Sequence, residues 1–385
     1  MEQKTSFPLV FALWGAGLGA AAQYGKMSVI FDMLPGAYPD AGANIGWIVS
    51  LVGGVGILFG VIAGVLVARI RYRRALLWAL WLGAAVSFIQ AFLPSLSWML
   101  FSRIAEGASH LVIVVAAPTL IAQLSTPRHR GFTLTLWGTF FGVAFAILAF
   151  AGRPLAESYG LPALFAAHGI YMAIFALYLS ARLRALPPED AQPVLSLPAV
   201  LRSHVTIYTS ARLAAPAAGW LFYTFSFVSI LTVLPPFLDP GLRHIIMGAM
   251  PIVSIIVSMT FGVFLLRYIS AVQVIEFGFA LSFLCALWLW FMPGFPIACL
   301  ALAGAMGLIQ GASFAAVPQL NATPSGQSQA NGAMAQMGNI GNTLGTPVMA
   351  AALVGMGYAA LPVLAGVAFA AGLVLHVWLG ALRRD

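Results

Sequence analysis

Arg103, Glu106 and His110 stand in one apolar stretch of the sequence at i, i+3 and i+7. On a helix that spacing puts all three on one face. Arg keeps its proton, so its chemistry is to pair with Glu106 or to hold an anionic group of a ligand. Glu106 and His110 change protonation, and burial beside a cation tunes when they do so. They are the proton-coupling candidates. The alternative is a permanent Arg103–Glu106 ion pair with His110 bonded to a backbone carbonyl. Lys26, with Gln23 and Tyr24 beside it, is a second candidate for substrate binding or gating: it either faces an aqueous cavity or snorkels to the outer interface. A softer surface comes from Gln336, Asn339 and Asn342, spaced by three amid Gly338, Gly341 and Gly345. These amides either touch substrate or bond between closely packed helices. Lone His168 and His376 read as core-bonded histidines, and Arg153 as an interfacial anchor.

Those residues need a scaffold, and the composition names its solvent. With 61% hydrophobic and 7% charged residues among 385, the chain is too apolar for a water-exposed surface. Lipid satisfies no backbone polar group, so repeated long apolar stretches mean helices. The alternating pattern of a membrane barrel is missing. Cys285 and Cys299 lie in apolar stretches without metal-ligand spacing and read as packing thiols. The fold class expected is an all-α polytopic membrane protein of about twelve transmembrane helices, arranged as two pseudo-symmetric six-helix bundles.

Segments long enough to span begin near Phe7, Ile45, Ala75, Trp98, Gly131 and Leu161, then near Arg212, Ile245, Ile269, Phe295, Asn331 and Tyr358. Between the two sets lies a polar stretch with Pro187, Pro188, Glu189, Asp190 and Pro193. The expected division is therefore residues 1–183, a linker at 184–204, and residues 205–385. With the N-terminus inside, Lys4, Arg69, Arg71, Arg73, Arg74, Arg128, Arg130, Arg182, Arg184, Arg202, Arg212, Arg267, Arg383 and Arg384 are all cytoplasmic. Both termini are expected there. The net charge of +8 is then topological, and no basic stripe with interleaved aromatics supports nucleic-acid binding.

The two sets repeat each other at an offset of about 200 positions. Gly46 to Val61 answers Gly248 to Val263, Glu106-Gly107-Ala108-Ser109 answers Gln310-Gly311-Ala312-Ser313, Pro118 answers Pro318, and Leu34-Pro35 answers Leu234-Pro235. After span two, Gly64, Leu66, Arg69 and Arg73 fit a GxLxDRxGRK pattern, with Ala68 replacing its acidic residue and Arg71 its second glycine. Arg103 and Gly107 form RxxxG in span four. Gly138 and Gly142 keep part of a GxxxGP pattern in span five, with Val143 in place of proline, and Gly341, Gly345 and Pro347 give a fuller form in span eleven. In these motifs the whole chain resembles the major facilitator superfamily. The resemblance implies six plus six spans, alternating access, and a glycine stripe in span two (Gly56, Gly60, Gly64) facing span eleven.

No HExxH, GxSxG, Walker loop or Cys-His cluster is present, so neither an enzyme nor a nucleotide-driven pump is indicated, and no cofactor or metal is expected. The reading is a secondary transporter in the cytoplasmic (inner) membrane, functional as a monomer, that moves a small organic solute by proton-coupled symport. The solute is expected to be anionic or zwitterionic, because Lys26 and Arg103 lack enough intramembrane acids to neutralise every cation. Proton-coupled drug or metabolite efflux is the alternative, followed by a non-transporting assembly protein.

Overall fold

The computed structural model describes residues 5–184 and 204–383, and the backbone of these residues is helical throughout its regular structure. Among the described residues, twelve main helical segments follow in order. They are α1 (Phe7–Ser28), α2 (Ile45–Ser50 continuing as Gly54–Ile70), α3 (Tyr72–Gln90), α4 (Leu96–Leu124), α5 (Pro127–Gly138 continuing as Phe140–Tyr159) and α6 (Leu161–Leu183). Then come α7 (Ala211–Val233), α8 (Arg243–Leu265), α9 (Ala271–Phe291), α10 (Pro296–Leu320), α11 (Pro324–Met356) and α12 (Ala360–Leu382). Among the described residues, nine helical stretches are long and apolar enough to cross a membrane, and one of these, Gln329–Leu382, contains most of α11 and all of α12. The interrupted α2 and α3, which opens on Tyr72, Arg73 and Arg74, complete the twelve. The chain is an all-α polytopic membrane protein. Much of the linker, together with the side chains of Gly64 and Arg69, lies outside the described residues.

By contact the chain forms two compact units, Met1–Ile30 with Ile62–Leu195, and Phe31–Val61 with Ser196–Asp385. In the first, α1 packs on α4, α5 and α6, and α3 packs on α4 and α6. Lipid tails are as apolar as leucine, so burial of apolar surface drives little association here, and close backbone approach has to supply the attraction. The sequence of α1 meets that need with Gly15, Ala16, Gly17, Gly19, Ala20, Ala21 and Ala22, all buried. Around them Leu13, Leu76, Leu80, Ile113, Leu120, Met172 and Leu179 close the core.

The second unit uses the same device where α11 meets α7. A β-carbon at Gly341 would collide with the carbonyl oxygen of Leu221, and one at Gly345 with that of Phe225. The first part of α2 also lies on α11. Gly46 leaves only 2.8 Å between a β-carbon position and Pro347 Cα, and Gly60 leaves 3.4 Å to Gln336 Cα. Gly56 sits against the Asn339 amide. These contacts place residues 31–61 with α7 to α12.

The turn between α2 and α3 carries a strained residue. Arg71 adopts φ 77°, a region that suits glycine and costs an L-residue on the order of 1–3 kcal/mol. It is the position at which the superfamily pattern has glycine. Arg71→Gly should therefore raise the thermal midpoint of the purified protein, the relief being partly offset by glycine's extra unfolded-state freedom of about 0.5–1 kcal/mol. Arg71→Ala removes the same charge and keeps the strain, so it should give no such rise. Equal midpoints for the two variants would contradict this account.

A buried ion cluster as the candidate functional site

Helix α4 carries Ser102, Arg103, Glu106, Ser109 and His110 at spacings that bring them round one side of the helix, and all are buried. Lys26 is fully buried near the end of α1 and does not reach an interface. Its Nζ donates to Glu106 Oε1 at 2.6 Å. Arg103 pairs with the other carboxylate oxygen, Oε2, and donates through Nη2 to the Gln23 carbonyl at 2.5 Å. One carboxylate thus serves two cations.

Helix α3 supplies neutral groups to the same oxygens. Gln90 Nε2 donates to Glu106 Oε2 at 3.0 Å and to Ser102 Oγ at 3.0 Å, while Ser87 Oγ accepts from Lys26 Nζ at 2.8 Å. Gly83 keeps α3 close, since a β-carbon there would stand 2.8 Å from Ser109 Oγ and 2.9 Å from Gln23 Nε2. Gln23 Nε2 in turn donates to Ser109 Oγ at 2.9 Å, and Ser109 donates to the Ala79 carbonyl at 2.7 Å. From α6, His168 places Nδ1 3.2 Å from Lys26 Nζ and 2.7 Å from Ser87 Oγ.

His110 makes the backbone bond that the sequence offered as its alternative, and His168 makes the expected core bond and more. His110 Nδ1 bonds the Ala20 carbonyl at 2.9 Å, and its ring meets Tyr24 edge-on at 5.1 Å between centroids. His168, read from the sequence as a lone core histidine, belongs to the ion cluster. Backbone carbonyls of α1 at Gly19, Ala20 and Gln23 accept from His168, His110 and Arg103, a use of helix backbone that small residues on α1 make sterically accessible. Ser87, Gln90 and Gly83 were not singled out in the sequence. The available signal was that Ser87 and Gln90 are one turn apart and are the polar residues late in an apolar span.

The remaining candidates lie elsewhere. Gln336 donates to the Ile57 carbonyl at 3.1 Å and accepts from Tyr208 OH at 2.6 Å, and Asn339 Nδ2 returns to the Ala335 carbonyl at 2.8 Å. Asn342 Oδ1 is buried without a hydrogen-bond partner among the described residues. His376 is likewise buried with both ring nitrogens unbonded among the described residues, its ring 6.0 Å from that of Phe279, in place of the core hydrogen bond expected. Arg153 pairs with Glu157 at 2.8 Å and donates to the Val29 carbonyl at 2.9 Å. Arg73 is partly buried, as the residue before α3's second arginine. Among the described residues no group of His, Cys, Asp and Glu is arranged to hold a metal.

A sequence model described as Major Facilitator Superfamily matches residues 13–346. The chain belongs to the major facilitator superfamily. It is a secondary transporter, not an enzyme. Among solved structures, a bacterial homologue of the human lysosomal transporter Spinster, inward-facing and unoccupied, superposes with a TM-score of 0.71 at 12% identity, over 97% of this chain and 94% of that one. The superfamily transporter FucP in its outward conformation gives 0.68 at 15% identity, over 97% and 99%. Such likeness establishes the shared fold. No curated protein matches the sequence.

Charge arithmetic gives a stability test. Removing the carboxylate from two cations and one anion leaves both cations buried without Glu106, whereas removing Lys26 leaves a neutral Arg103–Glu106 pair. Glu106→Gln should cost about 3–5 kcal/mol, the usual penalty for breaking a buried pair. Lys26→Met should cost less than half as much. Thermal unfolding in detergent reads both, and an equal or reversed order would contradict the shared-carboxylate arrangement.

Proposed function

We propose that this superfamily member moves a small anionic or zwitterionic organic solute across the cytoplasmic membrane in symport with protons, using Glu106 as the coupling group. The observation that supports the reading most is the pairing of Lys26 and Arg103 with a single carboxylate inside the membrane. Each intramembrane charge costs at least about 2.5–3.5 kcal/mol on insertion scales, so a surplus cation is retained against a penalty. An anionic solute group is its natural complement. When Arg103 turns to such a group, Glu106 loses a partner and gains proton affinity, so solute and proton bind with positive coupling. That sign favours symport over antiport.

The frame is the six-plus-six division expected from the sequence, residues 1–183 and 205–385 about a cytoplasmic linker, with both termini cytoplasmic and a monomer as the working unit. Gln336, Asn339 and Asn342 on α11 are the proposed solute contacts from the second half. The partial burial of Gln336 and Asn342 leaves them available when the bundles rearrange. The full burial of Lys26, Arg103 and Glu106, with every head group bonded inside one bundle, favours a second reading in which the cluster only holds the bundle together.

Transport distinguishes the two. Small carboxylates, zwitterionic amino acids and organic cations are screened for thermal stabilisation of the purified protein, and the stabilising compound is followed in proteoliposomes. A carboxylate or amino acid should stabilise, and the parent should accumulate it when the outside is acidic. Glu106→Gln should preserve counterflow and abolish that accumulation. Stabilisation by organic cations alone would replace the reading with efflux. Unchanged proton-driven accumulation by Glu106→Gln would leave the cluster a structural one.

A further inference from the structure

The hydrogen bonds around His168 fix its chemical form. Its Nε2 lies 2.9 Å from the Gly19 carbonyl oxygen, which only accepts, so Nε2 carries the hydrogen. In the neutral ring Nδ1 is then an acceptor, and it faces two donors, Lys26 Nζ at 3.2 Å and Ser87 Oγ at 2.7 Å. The Lys26 ammonium has three hydrogens and three acceptors: Glu106 Oε1 at 2.6 Å, Ser87 Oγ at 2.8 Å and His168 Nδ1. They come from three helices, α4, α3 and α6, around a side chain from α1. The Phe165 ring, one turn before His168, lies 5.7 Å from the same nitrogen and favours its positive form.

Arg103 bonds Glu106 on its own helix, three residues away, and the carbonyl of Gln23. We propose that His168 is a positioning residue which, as the neutral Nε2–H tautomer, completes a three-acceptor seat that fixes Lys26 on Glu106 Oε1. Lys26 is then a permanent counter-ion that keeps the carboxylate tied to α1, α3 and α6. A second proton on His168 is incompatible with this seat, because Nδ1–H would point at the ammonium and could not accept from it.

The functional meaning rests on the symport reading, but the seat rests on geometry alone, and the test reads the seat without transport. The protein is labelled with ring-15N histidine, reconstituted in lipid nanodiscs, and the His168 resonances are assigned by their loss in His168→Asn. At neutral pH His168 should be the neutral Nε2–H tautomer, and Lys26→Met should shift its Nδ1 resonance while leaving the tautomer unchanged. A doubly protonated ring, the Nδ1–H tautomer, or an Nδ1 shift indifferent to Lys26→Met would each overturn the proposal.

Stability supplies an independent arm. His168→Leu removes the acceptor and should lower the thermal midpoint, and adding Lys26→Met to it should cost less than the sum of the two single changes, since both break the same contact. His168→Asn keeps an amide oxygen near the Nδ1 position and should recover part of the loss. Strict additivity, or no recovery by Asn, would contradict a shared seat. If His168→Leu does not fold, the spectrum of the Lys26→Met protein still decides. Failure here would leave the Glu106 coupling test untouched, and failure of that test would leave the seat in place.

Discussion

One carboxylate holding two cations inside a helical bundle sets the terms for everything around it. Glu106 sits in a setting where a single unpaired charge costs several kcal/mol, and its two oxygens are divided between Lys26 from α1 and Arg103 from its own helix. The remaining capacity of those oxygens and ammonium hydrogens is filled by Gln90, Ser87 and His168. Two further helices, α3 and α6, are thereby committed to one geometry. The glycine and alanine run of α1 follows from the same demand, since carbonyls at Gly19, Ala20 and Gln23 have to be reached by side chains from α4 and α6.

The second unit answers packing with glycine and polarity with neutral groups. Where α4 has Glu106, the corresponding stretch of α10 has Gln310, and where the first unit is tied by ions, α7 and α11 are tied by backbone contact at Gly341 and Gly345. The buried Lys26–Glu106–Arg103 cluster thus has no charged counterpart at Gln310.

Much of this was legible in the sequence, for particular reasons. Span number and approximate starts follow from apolar length alone, and α1, α2 and α6 begin at Phe7, Ile45 and Leu161 as that ruler places them. The largest departure is α11, which begins at Pro324 and not near Asn331, because Thr323 caps it and polar Ser325 and Gln327 continue the helix beyond the apolar stretch. The joint placement of Arg103 and Glu106 was visible because it is local, three residues on one helix. That Lys26 meets Glu106, 80 positions away, was not, since only tertiary packing brings α1 and α4 together. His168 was underrated for the same cause: its partners lie on α1 and α3, and nothing adjacent to it in sequence is polar. The strain at Arg71 shows the converse, a departure from a family pattern that the backbone registers directly as φ 77°.

The central claim is that Glu106 is an ionised carboxylate shared by Lys26 and Arg103. Infrared spectroscopy of the reconstituted protein at neutral pH, compared with Glu106→Gln, measures it most directly. The account predicts that the difference spectrum contains the antisymmetric carboxylate band of Glu106 and no protonated carboxyl band. A protonated carboxyl stretch present in the parent and absent from Glu106→Gln would contradict it.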